Sequence, residues 1–160
     1  MPAPTRPFKH LRRLKSVWIE PPIYFITTSV AGRLPVLANA SAVQVLLDQF
    51  TCAPKRYGWR VGRFVVMPDH LHFFCAPGGE REAASLSGFV GGIKMWSARA
   101  ILAQTGRAAP LWQHEFFDRL LRSNESYGRA SAYVRDNPVR AGLVQEAAQW
   151  PYGGEIEALE

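Results

Sequence analysis

The chain has 160 residues, of which 48% are hydrophobic and 20% charged, and a formal net charge of +6, with a pI near 9.7. That size and composition point to one domain with a real core. They argue against a membrane protein or a secreted one, since no apolar run approaches the ~18 residues of a spanning helix and Met1-Pro2-Ala3-Pro4-Thr5-Arg6 lacks the apolar centre of a signal peptide. The basic balance points to a polyanionic partner, and the expected location is cytoplasmic. Cys52 and Cys75 read as buried thiols of an intracellular protein rather than as a disulfide.

Residues 1–16 form a basic arm in which Arg6, Lys9, Arg12, Arg13 and Lys15 stand beside His10. The arm either grips phosphates or is a solvated tail. Ile23 to Val30 is β-branched and aromatic and predicts a first strand. Asn39 or Ser41 can cap a helix whose apolar positions are Val43, Val45, Leu46, Leu47 and Phe50. Trp59 to Met67 predicts a second strand, apolar on both faces. Pro68-Asp69 supplies a turn, and His70 to Ala76 returns as a third strand, closed by Pro77-Gly78-Gly79. A second helix is expected from about Glu82 to Thr105, across Gly91-Gly92. A fourth strand is expected over Leu111 to Leu121. A last helix runs from about Asn124 to Asp136 and is stopped at Asn137-Pro138, because a residue before proline is pushed out of helical geometry. The order β-α-β-β-α-β-α is α+β. Its first six elements fit the ferredoxin-like, split β-α-β arrangement, an antiparallel sheet with helices on one face and the other face open, with the last helix, which carries the candidate catalytic tyrosine, near that open face.

Two constellations carry chemistry. On a strand, residues i and i+2 share a face, so His70 and His72 stand side by side while Leu71, Phe73 and Cys75 point into the core. The paired imidazoles then lie on the open face, where a large substrate can reach them, and imidazole is the commonest metal ligand. Downstream, Tyr133 and Asn137 are one helical turn apart. A phenol can act as a covalent nucleophile, and a carboxamide oxygen can complete a hard-metal site. The plain reading of the second pair is a tyrosine packed on the core beside a helix-capping asparagine. Asp69 either fixes the tautomer of His70 or is a turn residue. Arg63, Lys94, Arg99, Arg135 and Arg140 are candidate phosphate contacts, although solvated faces give the same pattern. Trp96 and Trp112 offer base-stacking surfaces, although tryptophans more often belong to a core. His114, in an aromatic segment with Phe116 and Phe117, reads as structural or close to a substrate.

His70-Leu71-His72, preceded by Met67-Pro68-Asp69, resembles the His-hydrophobe-His motif of the HUH endonuclease superfamily. Tyr133-x-x-x-Asn137-Pro138-x-x-Ala141-Gly142-Leu143 resembles the REP-associated tyrosine transposases. The likeness extends over Pro22-Ile23-Tyr24-Phe25-Ile26-Thr27, Trp112-Gln113 and Arg122, nearly the whole chain. It implies a single domain over 1–160 and a nucleoid-associated enzyme that cuts single-stranded DNA at imperfect hairpins. In that scheme Tyr133 forms a 5′-phosphotyrosine. His70, His72 and Asn137 hold a divalent ion, Mg²⁺ or Mn²⁺ by family, with Zn²⁺ a competitor on ligand softness alone. Arg6, Lys9, Arg12, Arg13, Lys15, Arg63, Lys94, Arg135 and Arg140 are then the DNA-binding cations. The resemblance implies a monomer, with a homodimer as the alternative, and no membrane partner. Two other classes fit less of the pattern: a domesticated DNA-binding or regulatory module that does not cut, and a ferredoxin-like RNA-binding domain with incidental histidines.

Overall fold

In the computed structural model, residues 21–159 are described. The first strand is Ile23–Ser29 (β1), whose alternation sends Ile23 and Phe25 to one face and Ile26 to the other. The second is Trp59–Val66 (β2) and the third His70–Pro77 (β3). A bulge between Val61 and Phe64 breaks the alternation of β2. As a result Trp59 and Val61 before it, and Phe64 and Val66 after it, all face one core, while Val65 faces the other. Gly62 sits in that bulge, where a Cβ would lie 2.7 Å from the Leu159 side chain. Phe117–Leu121 (β4) and Gly153–Glu155 (β5) complete an antiparallel sheet of order β4-β1-β3-β2-β5. The four strands foreseen from the sequence thus pair as the ferredoxin-like arrangement requires.

Two helices cover one face. Ala40–Tyr57 (α1) starts at Asn39, whose side chain accepts a hydrogen bond from the Ala42 amide; Leu86–Thr105 (α2) starts at Ser85, which accepts from the Gly88 amide. Val43, Leu46 and Phe50 of α1 and Phe89, Val90, Ile93 and Ile101 of α2 close over Ile26, Leu71, Phe73 and Cys75. The helices touch closely at Gly92, where a Cβ would lie 2.2 Å from the Tyr57 hydroxyl. That contact accounts for a helix running across Gly91-Gly92.

The last helix lies against the opposite face, where it was expected; what the structure corrects is the exposure of the histidine pair, since His72 is buried. Asn124–Arg140 (α3) lays Tyr127, Ala130, Val134, Asn137 and Pro138 toward the sheet. A second core forms there from Ile23, Phe25, Val65, Met67, Phe74, Ala76, Leu121 and Leu159. At about 1.5–3 kcal/mol for each large apolar side chain taken from water, Ile23, Phe74 and Val134 alone fasten α3 across the strands. Asn137-Pro138 does not stop α3 as expected: the helix continues through Pro138 to Arg140. Its end is closed by Ala141 N–H to Asn137 O, Gly142 N–H to Val139 O and Leu143 N–H to Pro138 O. The helical hydrogen bond that proline forfeits therefore falls in a final turn already held by its cap.

Other boundaries move for local reasons. α2 begins at Leu86 rather than Glu82 because the preceding backbone is engaged elsewhere: the Ala84 amide donates to Tyr57 O and the Ala84 carbonyl accepts from the Trp59 indole. Of the expected Leu111–Leu121 strand, Phe117–Leu121 is a strand and Trp112 makes a single antiparallel bridge with Val30. Leu111 and Trp112 turn into the first core, and the Trp112 indole donates to Ser97 Oγ. β5 was not foreseen. Cys75 is buried, but Cys52 is exposed and both thiols are free. The expected basic arm at 1–16, with Arg6, Lys9, Arg12, Arg13 and Lys15, lies outside the described residues.

Candidate active site

Strand alternation and pairing place the two histidines. On β3, His70 lies opposite Ser29 and His72 opposite Thr27 of β1. Their rings meet edge to face with centroids 4.8 Å apart. Each Nδ1 atom has a partner. His70 Nδ1 lies 2.7 Å from Asp69 Oδ1, and His72 Nδ1 lies 2.7 Å from the Thr27 hydroxyl oxygen. A carboxylate only accepts, so His70 donates through Nδ1 and its neutral lone pair lies on Nε2. When His72 donates to Thr27, its lone pair lies on Nε2 as well.

The electrostatics keep Asp69 charged and His72 neutral. Burial raises the Asp69 pKa, but the hydrogen bond with His70 and the charge of Arg33 outweigh it, so the carboxyl sits below its ordinary value. Its Oδ2 accepts from Arg33 Nε at 2.9 Å. His72, 7% exposed, is pushed down to about 3, first by burial and then by the charges of His70, Arg140 and Arg33. A buried neutral imidazole keeps a lone pair available at neutral pH.

α3 brings the phenol. Tyr133 flanks the buried stripe of the helix and is 51% exposed. Its ring centre lies 6.3 Å from that of His72, at an interplanar angle of 70°. The Arg140 guanidinium stands over the Tyr133 ring, 3.9 Å from its centre, and also donates to the Tyr133 carbonyl. Asn137 lies on the sheet-facing stripe one turn on, 9% exposed. The helix end thus carries a half-exposed phenol, with a guanidinium over its ring, beside the His72 imidazole.

The donor set suits a divalent ion: two imidazoles with Nδ1 engaged and a carboxamide on the adjoining helix. Among the described residues no group of three His, Cys, Asp or Glu side chains gathers. Further donors would come from Asn137 and from substrate oxygens.

The remaining predicted site residues divide. Arg135 is on the other flank of α3 from Tyr133 and is paired with Asp136 at 3.0 Å. With Arg63 of β2, itself 3.6 Å from Glu155, it lines a cleft between α3 and the β2–β5 edge. Lys94 is on the helical layer, where its ammonium donates to the carbonyls of Gln113 at 2.7 Å and His114 at 3.0 Å. It fastens a loop, which engages two of its three protons within the chain. His114 is exposed beside Glu115. Trp112 is core, while Trp96 is exposed. Thr27, Phe25 and Arg33 were missed from the sequence. Phe25 stacks on His72 with centroids 5.3 Å apart, and the alternation that pairs the histidines also puts Phe25, Thr27 and Ser29 on their face. No sequence signal marks Arg33, which reaches Asp69 and Ser29 from a left-handed turn position with φ of 56°.

Comparison with known proteins gives a consistent answer. The family model described as "Transposase IS200 like" matches residues 23–137. A REP-associated tyrosine transposase of Escherichia coli K12 is 24% identical over 139 residues, 84% of this chain and 77% of that protein. Among solved structures, a REP-associated tyrosine transposase bound to a REP hairpin superposes with a TM-score of 0.68 at 21% identity, over 85% of this chain and 78% of the other. A Deinococcus radiodurans R1 protein assigned as a transposase gives a TM-score of 0.51 at 19% identity, over 71% and 88%. These structural likenesses concern the fold. None of the described helices is long and apolar enough to cross a membrane.

Proposed function

The chain belongs to the IS200-like transposase family, and from that premise we propose that it cuts and rejoins single-stranded DNA at imperfect hairpins through Tyr133. The observation that carries this reading is the placement of an exposed phenol against the buried His72 of the same chain. The relative bound to a REP hairpin supports hairpin DNA as substrate. Cleavage of this kind places the protein at the nucleoid.

In the reaction proposed, the Tyr133 oxygen attacks a backbone phosphorus and the bond to the 3′ oxygen breaks. The phenol gives up its proton as it attacks and the departing 3′ oxygen takes one up, so the products are a 5′-phosphotyrosine and a free 3′-hydroxyl. Attack by another 3′-hydroxyl reverses the step and rejoins DNA, because the ester energy is conserved in the tyrosyl linkage. His70, His72 and Asn137 would hold Mg²⁺ or Mn²⁺, which supplies Lewis-acid polarisation of a non-bridging phosphate oxygen. Asp69 and Thr27 orient the two imidazoles. Arg140, stacked on the phenol, restricts its rotamers and places a positive charge over the ring whose oxygen becomes anionic on losing its proton. Tyr133 and His72 meet within one chain, which supports action as a monomer and in cis.

The test is adduct formation. Protein incubated with a hairpin oligonucleotide and Mn²⁺ gives a protein–DNA species that survives denaturing electrophoresis. Tyr133→Phe abolishes that species while retaining DNA binding, and His70→Ala or His72→Ala lowers its yield. If wild-type protein forms no adduct across a panel of hairpins with either metal, a non-cleaving module is the better account.

A further inference from the structure

We propose that the outer surface of the helical layer is a second DNA site, centred on Trp96, that takes a single-stranded stretch by stacking an unpaired base on the indole. The site is on the face of the sheet away from Tyr133, so it is separate from the cleavage chemistry and stands without it. Trp96 lies in the middle of α2 and is 40% exposed, beside the still more exposed Met95. Two guanidiniums approach its ring: Arg56, from the last turn of α1, at 5.5 Å from the ring centre, and Arg99, one turn along α2, at 5.3 Å. Both are well beyond the 3.9 Å of Arg140 over Tyr133. Each stands over the indole near the outer limit of a cation–π contact, so a base seated on the ring would meet both cations.

Ion pairing separates the arginines at this indole from most others among the described residues. Arg60, Arg63, Arg129 and Arg135 each pair with a carboxylate. Arg56, Arg81 and Arg99 have no carboxylate partner among the described residues. Arg81 instead donates to the Arg56 carbonyl, which draws a third cation to the same corner. Gathered like charges repel, and an anion between them relieves the repulsion. Fastening α1 to α2 accounts for the Arg56 contact but not for Arg99, which shares a helix with Trp96. An exposed aromatic ring beside guanidiniums that lack a carboxylate partner among the described residues is the chemistry that holds single-stranded nucleic acid: phosphates on the cations and a base on the ring. Duplex DNA offers no free base face, so the geometry favours unpaired nucleotides.

The experiment uses the full chain and an oligothymidylate carrying 5-iodouracil, a probe that cannot fold into a hairpin. Irradiation should crosslink the peptide containing Trp96. Trp96→Ala should weaken binding of the probe by roughly 5- to 150-fold, the range for one stacked base. Trp96→Phe, which keeps a platform, should retain most of the affinity. Arg56→Ala with Arg99→Ala should flatten the log–log salt dependence by about 1.4, two phosphates at about 0.7 each. Adduct formation at Tyr133 on a saturating hairpin should be unchanged in all three variants. Crosslinks confined to other peptides, with the probe affinity of Trp96→Ala equal to that of wild type, would overturn the proposal. A Trp96 crosslink in a protein that never forms the tyrosyl adduct would uphold this site while removing the cleavage reading.

Discussion

Replacing Thr27 with valine isolates the support of one imidazole. Thr27 faces His72 across the β1–β3 pair, and its hydroxyl oxygen is 2.7 Å from Nδ1. Valine matches threonine in shape, so packing against β3 is kept and the perturbation is the lost hydrogen bond. His72 is 7% exposed, which leaves its nitrogen little access to water. An unpaired polar atom in such a place costs about 1–3 kcal/mol, enough to move a denaturant midpoint measurably. The functional effect should be larger, because the partner of a ligating histidine fixes both tautomer and ring angle. Loss of such a partner commonly costs about 10- to 100-fold in metal affinity or rate. The assay pairs urea unfolding with Mn²⁺ titration of adduct yield on a hairpin oligonucleotide. Thr27→Ser restores the hydroxyl and should recover the metal response even if some packing is lost. A Thr27→Val protein with wild-type stability and an unchanged Mn²⁺ midpoint would refute the reasoning, since the bond would then be holding nothing.

Neighbouring glycines of α2 should respond in opposite directions. Gly91→Ala meets nothing within 4 Å and should stabilise the helix by about 0.5–1 kcal/mol. Gly92→Ala drives a methyl group to 2.2 Å from the Tyr57 hydroxyl and should destabilise by roughly 1–3 kcal/mol; thermal unfolding of the two variants checks the signs. Lys94→Met should lower stability by about 1 kcal/mol through the lost loop bonds and leave oligonucleotide affinity at the wild-type level, read by fluorescence anisotropy. Under native conditions a thiol reagent should label Cys52 but spare Cys75, whose burial pushes its pKa up; both should react in denaturant. Because the folded state holds the Cys75 proton to higher pH than the unfolded chain, that contribution is full below the unfolded pKa near 9.0 and declines as pH rises above it. The stability of wild type should therefore fall more steeply in that range than that of Cys75→Ala.

Much of the site was legible because it rests on short-range geometry. Period-two alternation put His70 and His72 together, and the helical turn put Asn137 beside Tyr133. What stayed hidden depended on packing between distant segments. Nothing local says that Val134 and Tyr127 will meet Phe74 and Leu121, so the cover that buries His72 could not be read from the strand. Gly153-Gly154 has no side-chain pattern to announce β5, which exists because β2 has an edge to pair. Lys94 looked like a free cation until the loop after Trp112 placed two carbonyls around it. Pro138 looked like a helix stop because its cost is evident in sequence, whereas the cap that absorbs that cost involves the turn at Gly142. Cys52 read as a buried thiol, yet it faces solvent on α1.

The most direct test of the account is to digest the denaturation-resistant protein–DNA species formed with a hairpin oligonucleotide and identify the modified residue by mass spectrometry. The account predicts a nucleotide remnant joined through phosphate to the Tyr133 oxygen, in a peptide spanning the end of α3. A remnant on another side chain, with Tyr133 recovered unmodified, would contradict it.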